Sequence, residues 1–146
     1  MIIRQANIRD VGKLSSLTND FRKFYNSNEK PDSEIQNYLE QRIRNNDSII
    51  FIVEIDKIFV AYAQLFPSYS TIGLFPVYIL NDLFVLKDFR YQGIAEKLLD
   101  KVISFALETE RKQIWLLTEN ENLKAQNLYL KKGFIKTKFQ HYAYKL

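Results

Sequence analysis

The run Leu83-Phe84-Val85 is followed, after four residues, by Arg90-Tyr91-Gln92-Gly93-Ile94-Ala95. An apolar strand-like segment thus leads through a short connection to a glycine with small and apolar residues behind it. If a helix begins at Gly93, its first turn leaves about four main-chain N–H groups unpaired and carries a partial positive charge. Such a helix start binds phosphate. Gly93 lets the main chain approach an oxygen with no Cβ in the way. Ala95 keeps the next turn thin, and Arg90 adds a charged fork. Taken alone, the same glycine also suits an ordinary tight turn into a helix. The segment is not a P-loop, because no Gly-Lys-Ser/Thr follows. It is not a dinucleotide fingerprint either, because only one of three glycines is present.

Other chemistries are excluded by what the chain lacks. It has no cysteine, which removes disulfides, thiolate metal sites and a cysteine nucleophile. His141 is the only histidine and has no companions at ligand spacing, so no metal site is expected. No serine sits in a nucleophile elbow.

The 146 residues fit one domain, and 47% apolar with 14% aromatic content suffices for a core without staples. No apolar run is long enough for a transmembrane helix. The N-terminal Met1-Ile2-Ile3-Arg4-Gln5-Ala6 does not read as a signal peptide, and a cytoplasmic location is expected. The net charge of +4 is spread along the chain and mixed with acids. A phosphate-rich small cofactor uses such a charge more economically than nucleic acid, and neither nucleic acid nor membrane is expected as a partner.

The elements that must position these residues follow from periodicity, since three prolines and four glycines give little punctuation. Residues 1–6 read as a strand. Asn7 is placed to cap a helix, along which Ile8, Val11, Leu14, Leu17, Phe21 and Phe24 recur. Pro31-Asp32-Ser33 opens a second helix, with Ser33 and Gln36 as a possible capping box. Ser48 to Glu54 and Ile58 to Leu65 form a hairpin around Asp56-Lys57. Phe66 to Gly73 reads as a loop. Val77 to Val85 is a strand interrupted by Asn81-Asp82. A third helix carries Leu98, Leu99, Val102 and Ala106 on one face. Gln113 to Thr118 is a strand. A fourth helix starts at Asn122 and ends at Gly133. Phe134 to Leu146 supplies one or two last strands. The order implies a mixed sheet with helices on both faces.

In that setting the first segment resembles the acetyl-CoA signature of the GNAT superfamily of N-acetyltransferases, R/Q-x-x-G-x-G/A. Asn122-Leu123-Lys124-Ala125-Gln126-Asn127-Leu128-Tyr129 with Lys132-Gly133-Phe134 resembles its second motif, N-x-x-A-x-x-L-Y followed by G-F. The two occur in the expected order, most specifically over residues 77–134. The resemblance implies a single N-acetyltransferase domain over 1–146. Its fold would be α/β (α+β), a mixed, mostly antiparallel sheet of six to seven strands flanked by about four helices. It implies acetyl-CoA as cofactor, released as CoA. The main chain of Leu83, Phe84 and Val85 would pair with the pantetheine arm. Arg90 and the main-chain amides of Tyr91, Gln92, Gly93, Ile94, Ala95 and Glu96 would hold the pyrophosphate. Asn122 and Gln126 would line the cofactor, and Tyr129 would protonate the departing thiolate. A homodimer is also implied, with Phe134, Phe139, Tyr142 and Tyr144 as a shared edge. Phe66-Pro67-Ser68-Tyr69-Ser70 and Tyr78-Ile79-Leu80-Asn81-Asp82 are similar to the diamine acetyltransferase branch. That branch has a glutamate at the position of Asn81, assigned to the substrate amine.

An alkyl ammonium has a pKa near 10.4, so the free amine costs roughly 4–5 kcal/mol at pH 7. A base, a water relay or a desolvating acidic pocket is required. Asp82 is the first candidate, as base or as anchor for a cation, and Glu54 the second. Phe24, Tyr25, Tyr69 and Asn81 are candidates for the amine pocket, partly by cation–π contact. At helical spacing beside Leu128, Tyr129 also has the position of a core residue. Without a nucleophile, direct transfer in a ternary complex is expected, to a polyamine, an amino acid or a related small amine. A protein N-terminus or lysine is the rival acceptor. A CoA-binding regulatory module without turnover is the rival class.

Overall fold

Apolar residues alternate along the second strand, and the alternation sorts them onto two cores. Phe51 and Val53 join one cluster, Ile50 and Ile52 the other. The computed structural model describes all 146 residues. Its elements are β1 (Ile2–Gln5), α1 (Val11–Phe24), α2 (Asp32–Arg44), β2 (Ile49–Ile55), β3 (Ile58–Ser70), β4 (Phe75–Val85), α3 (Ile94–Glu108), β5 (Gln113–Leu116) and α4 (Leu123–Lys131). Short 3₁₀ turns precede α1 and follow β4. The sheet runs in order β1 to β5. The first four strands are antiparallel neighbours, and β5 lies parallel to β4.

One face buries Leu98, Leu99 and Val102 of α3 against Ala61, Ala63 and Leu65 of β3. The other buries Leu14 and Leu17 of α1 and Ile35 and Leu39 of α2 around Tyr62 and Phe84. Asn7 caps as expected. Its side chain accepts from the Arg9 amide, while Asp10 accepts from the Asn7 amide. Arg4 adds two hydrogen bonds of 2.8 Å to Asp10, tying β1 to the start of α1.

Four expectations are corrected. The segment after Leu65 is no loop. β3 runs to Ser70 because β4 pairs with it from Phe75 onward, and only Thr71 to Leu74 turn. β4 is not interrupted at Asn81-Asp82. Gln64 faces Asp82 while Leu65 faces Leu80, so Asn81 is the extra residue of a β-bulge. Ser33 makes no capping hydrogen bond. Asp32 takes the polar contacts at that end, from Ser15 and Gln36. The sheet has five strands rather than six or seven, because residues 134–146 pair with nothing in the chain.

Gly133 does end α4. It has φ +91°, the Phe134 amide donates to the Tyr129 carbonyl (3.0 Å), and the Gly133 amide donates to the Leu130 carbonyl (3.1 Å). This is a Schellman cap, and its apolar contact is the Phe134 ring 5.7 Å from the Tyr129 ring. Gly133→Ala forces a Cβ into the left-handed region and is expected to lower stability by about 1–2 kcal/mol. Urea unfolding with circular dichroism measures it, and an unchanged midpoint contradicts the cap's role.

Candidate active site

The last pair between β4 and β5 is Leu80 with Leu116. β4 continues to Val85 with no strand on that side, and the gap is a cleft of about 370 Å³. Leu83, Phe84 and Val85 form one wall. Asn122, Ala125, Leu128 and Tyr129 from the start and face of α4 form another, and Leu117 and Thr118 continue β5 along it. The end of α1 covers the cleft with Phe21, Phe24 and Tyr25, whose rings meet edge-on at about 5 Å. No carboxylate is among the lining residues, whereas Arg90 and Lys124 are.

At one end lies the connection to α3. Tyr91 (φ +63°) and Gly93 (φ +74°) both turn left-handed, so the main chain coils tightly before the helix. Lys97 is the first residue to bond back into the helix, to the Gly93 carbonyl (3.1 Å). The amides of Ile94, Ala95 and Glu96 are therefore left without an intrahelical partner. A Cβ on Gly93 would meet nothing within 4 Å, so it is the backbone angle, not crowding, that calls for glycine there. Tyr91 and Ala95 line the cleft. Lys124 hydrogen-bonds the Tyr91 hydroxyl and stands over its ring, which holds the tyrosine's pKa down and joins α4 to the loop.

Arg90 lies inside the cleft. Its Nε donates to the Val85 carbonyl (2.9 Å), and its guanidinium stands 5.3 Å from the Phe24 ring and 5.7 Å from the Phe84 ring. It thereby occupies a main-chain acceptor on the wall of β4.

Asn81 lines the cleft and Asp82 does not. The bulge turns Asp82 to the α1–α2 side, where it is 7% exposed. There it accepts from Asn81 Nδ2 (2.8 Å) and from the Tyr62 hydroxyl (3.4 Å). Burial pushes its pKa up to about 6 against these two hydrogen bonds. Tyr129 faces the cleft from α4, and burial, with a smaller contribution from Tyr25, pushes its pKa up to about 12. Its hydroxyl is a proton donor at neutral pH.

Several expected residues are placed elsewhere. Gln126 points its amide at the carbonyls of Glu119 and Asn120 and pins the loop before α4. Glu96 bonds Lys131 at 2.8 Å, linking the two helices. Gln92 donates to the Asp88 carbonyl and Ile94 is buried in the core, so at Gln92, Ile94 and Glu96 only the side chains are engaged elsewhere, while the main-chain amides remain in the loop and first turn. Tyr69 is exposed on the outer part of the β3–β4 hairpin, opposite Pro76, because β3 extends where a loop was expected. Glu54 sits beside β1, opposite Ile2 and 3.6 Å from Arg4. His141 is exposed in the unpaired terminal segment. Lys124, Leu117 and Thr118 in the cleft, and Tyr62 under Asp82, escaped the sequence reading. Tyr62 alone left a trace, as a polar hydroxyl in an otherwise apolar run.

The raised pKa of Asp82 has a stability consequence. Its unfolded value is near 3.9, so between about pH 4 and pH 6 the folded chain keeps a proton that the unfolded chain has lost. Stability falls as pH rises through that window and stays reduced above it. Asp82→Asn is expected to raise stability at pH 7 by about 1–3 kcal/mol, a gain that fades toward pH 4. Urea midpoints across pH test this, and a pH-independent difference contradicts it.

Known proteins are similar to this chain in sequence and fold. The model of the acetyltransferase (GNAT) family matches residues 14–134. Uncharacterized N-acetyltransferase YhfO of Bacillus subtilis is 36% identical over 146 residues, 97% of this chain and 95% of that protein. A crystal structure of a probable acetyltransferase superposes with TM-score 0.91 at 30% identity, covering 100% of this chain and 98% of the other. A predicted acetyltransferase with acetyl-CoA from Clostridium acetobutylicum shares the fold at TM-score 0.81 and 20% identity, over 98% and 95% of the two chains. With the cleft, the loop at Gly93 and these likenesses together, the chain belongs to the acetyltransferase (GNAT) family and is an acetyl-CoA-dependent acyltransferase.

Proposed function

We propose that the cleft holds acetyl-CoA along β4 and passes its acetyl group directly to the primary amine of a small molecule. The observation that carries this is the free side of β4 at Leu83 to Val85, set between a loop of unpaired amides and Tyr129. A pantetheine arm has amide groups that complete a strand's hydrogen bonding. The amides of Ile94 to Glu96, with Lys124 nearby, suit a pyrophosphate. Arg90 would leave the Val85 carbonyl as the arm arrives and turn its charge to the phosphates.

In the transfer, the amine nitrogen attacks the thioester carbonyl carbon, the C–S bond breaks and the sulfur leaves as thiolate. Asn81 has its Nδ2 committed to Asp82, which leaves its Oδ1 to accept an N–H of the amine. Asp82 does not line the cleft, so a water beside Asn81 would carry the amine's proton to it, and its pKa near 6 suits that task better than an ordinary carboxylate. The Tyr129 hydroxyl donates to the developing thiolate. A phenol at about 12 is a weak acid toward a thiolate, but the same apolar surroundings raise the thiol's pKa too and narrow the gap.

The cleft's cover is aromatic, where a basic peptide or a polyamine would need an acidic groove for its other charges. This favours a mono-amine over a polyamine or a lysine-rich peptide.

Thiol release from acetyl-CoA across a panel of amines tests the reading. Tyr129→Phe is expected to keep CoA affinity and lower kcat on the order of 100-fold. Full turnover by that variant would falsify its role as donor. Gly93→Val is expected to weaken CoA binding at least tenfold by calorimetry, since a β-branched residue resists φ +74°. Unimpaired binding removes the loop from the phosphate site.

A further inference from the structure

The sheet face under α1 and α2 carries polar side chains that the acetyl transfer leaves unused. Gln64 pairs with Asp82 in register but donates to Ser48 Oγ (3.2 Å), so it is engaged away from the carboxyl. The Tyr62 hydroxyl donates to Asp82 Oδ2 (3.4 Å). Its ring is fully buried, edge-on to Phe21 at 5.9 Å and tilted against Phe84 at 6.4 Å. Burial, and then the charge of Asp82, hold this phenol well above its usual pKa, while the Thr18 hydroxyl on α1, standing beside it, pulls the other way. Tyr62 therefore stays a hydroxyl across the working pH range. Thr18 is itself buried, and its Oγ1 makes no hydrogen bond. A buried hydroxyl without a partner costs about 1–3 kcal/mol, so its place next to a titrating pair calls for a reason.

Asp82 has two states to satisfy. As a carboxylate it accepts from Asn81 Nδ2 on Oδ1 (2.8 Å) and from the Tyr62 hydroxyl on Oδ2. As an acid with Oδ1 so held, it carries its hydrogen on Oδ2, and that hydrogen cannot face the hydrogen of Tyr62. A tyrosine hydroxyl both donates and accepts. It takes a hydrogen bond from Oδ2 only if its own hydrogen turns elsewhere, and Thr18 Oγ1 is the free acceptor beside it. No covalent bond changes in Tyr62 or Thr18, only the direction of donation. The other titratable groups facing the carboxyl are Tyr25 at the end of α1 and Tyr38 on α2, both within its electrostatic reach. Arg42 stands over the Tyr38 ring and pairs with Asp47 at 3.1 Å. Asn81 and Tyr62 alone hydrogen-bond Asp82.

We propose that Tyr62 and Thr18 are positioning residues for Asp82. The Tyr62 hydroxyl donates to the carboxylate when Asp82 is charged and turns to Thr18 when Asp82 carries a proton, so the acid keeps its partners and its orientation in both states. The bearing of this pair on acetyl transfer rests on the reading of Asp82 as the group that takes the amine's proton.

The two hydroxyls act on the carboxyl in opposite directions, which a purely structural role does not produce. Tyr62→Phe removes a donor to the charged form and is expected to move the titration of Asp82 up by about one pH unit. Thr18→Val removes the acceptor that serves the protonated form and is expected to move it down by about half a unit or more. Thr18→Ser restores a hydroxyl and is expected to titrate as the parent chain does. Carbon-13 carboxyl shifts of the aspartate-labelled chain, assigned with Asp82→Asn, follow the titration without turnover, and circular dichroism checks that each variant keeps the fold. Movements of opposite sign, with recovery in Thr18→Ser, support the pair. An unmoved titration in either variant, movements of the same sign, or Thr18→Ser behaving as Thr18→Val overturns it. Thr18→Val with its serine control decides alone if Tyr62→Phe does not fold. The pH profile of kcat/KM on one amine, taken as the ratio of variant to parent to cancel the amine's own titration, is expected to move with the carboxyl. A profile that stays still while the carboxyl moves removes Asp82 from the reaction and leaves the hydroxyl pair standing.

Discussion

Main-chain polar groups removed from water must find partners, and β4 leaves some of its own unmet. Up to Leu80 it is bonded on both sides. Beyond that point β3 still serves one side, while β5 has ended its pairing at Leu116. The resulting gap is stable only because its walls are otherwise complete: α3 and β3 pack beneath it, α1 covers it, and α4 stands across it. Arg90 satisfies one of the exposed acceptors, the Val85 carbonyl, from its place between two phenylalanine rings. An extended ligand with its own amides meets the same need, which is why a cofactor site falls where the sheet parts.

The bulge at Asn81 divides the polar chemistry between two sides of the sheet. One extra residue lets Asn81 line the cleft while its neighbour Asp82 goes under α1 and α2, next to Tyr62. The acid is thereby kept dry and close to the cleft without lining it. The cost is a carboxyl whose charge is disfavoured by burial. In the proposed reaction that penalty is what gives the group a useful pKa, a stability sacrificed at a working site.

The helix cap at Gly133 has a comparable double role. It ends α4 and, through Phe134, places a ring against Tyr129. The trailing Gly-Phe of the second motif therefore acts on the tyrosine from four and five residues away. The Tyr91–Lys124 and Glu96–Lys131 contacts bring the same helix to the loop and to α3. The cleft's far wall is held at one end by Tyr91 and Lys124, which also line the cleft, and at the other by Glu96 and Lys131, which do not.

What the sequence determined was local. The period of apolar residues identified four helices and most strands, Asn7 and Gly133 marked two helix ends, and the two motifs identified the family and the segment around Gly93. These depend on residues within a few positions of one another, so they are written in the chain's order. Tertiary structure decided what depends on register and on distant partners. A one-residue offset between β3 and β4 chose which of Asn81 and Asp82 faces the cleft, because side chains alternate with period two. Pairing with β4 turned the stretch around Tyr69 from loop into strand and carried that tyrosine away. An alternating pattern in residues 135–146 was legible in part, but no strand of the sheet pairs with it, and a pattern without a neighbour does not become a strand.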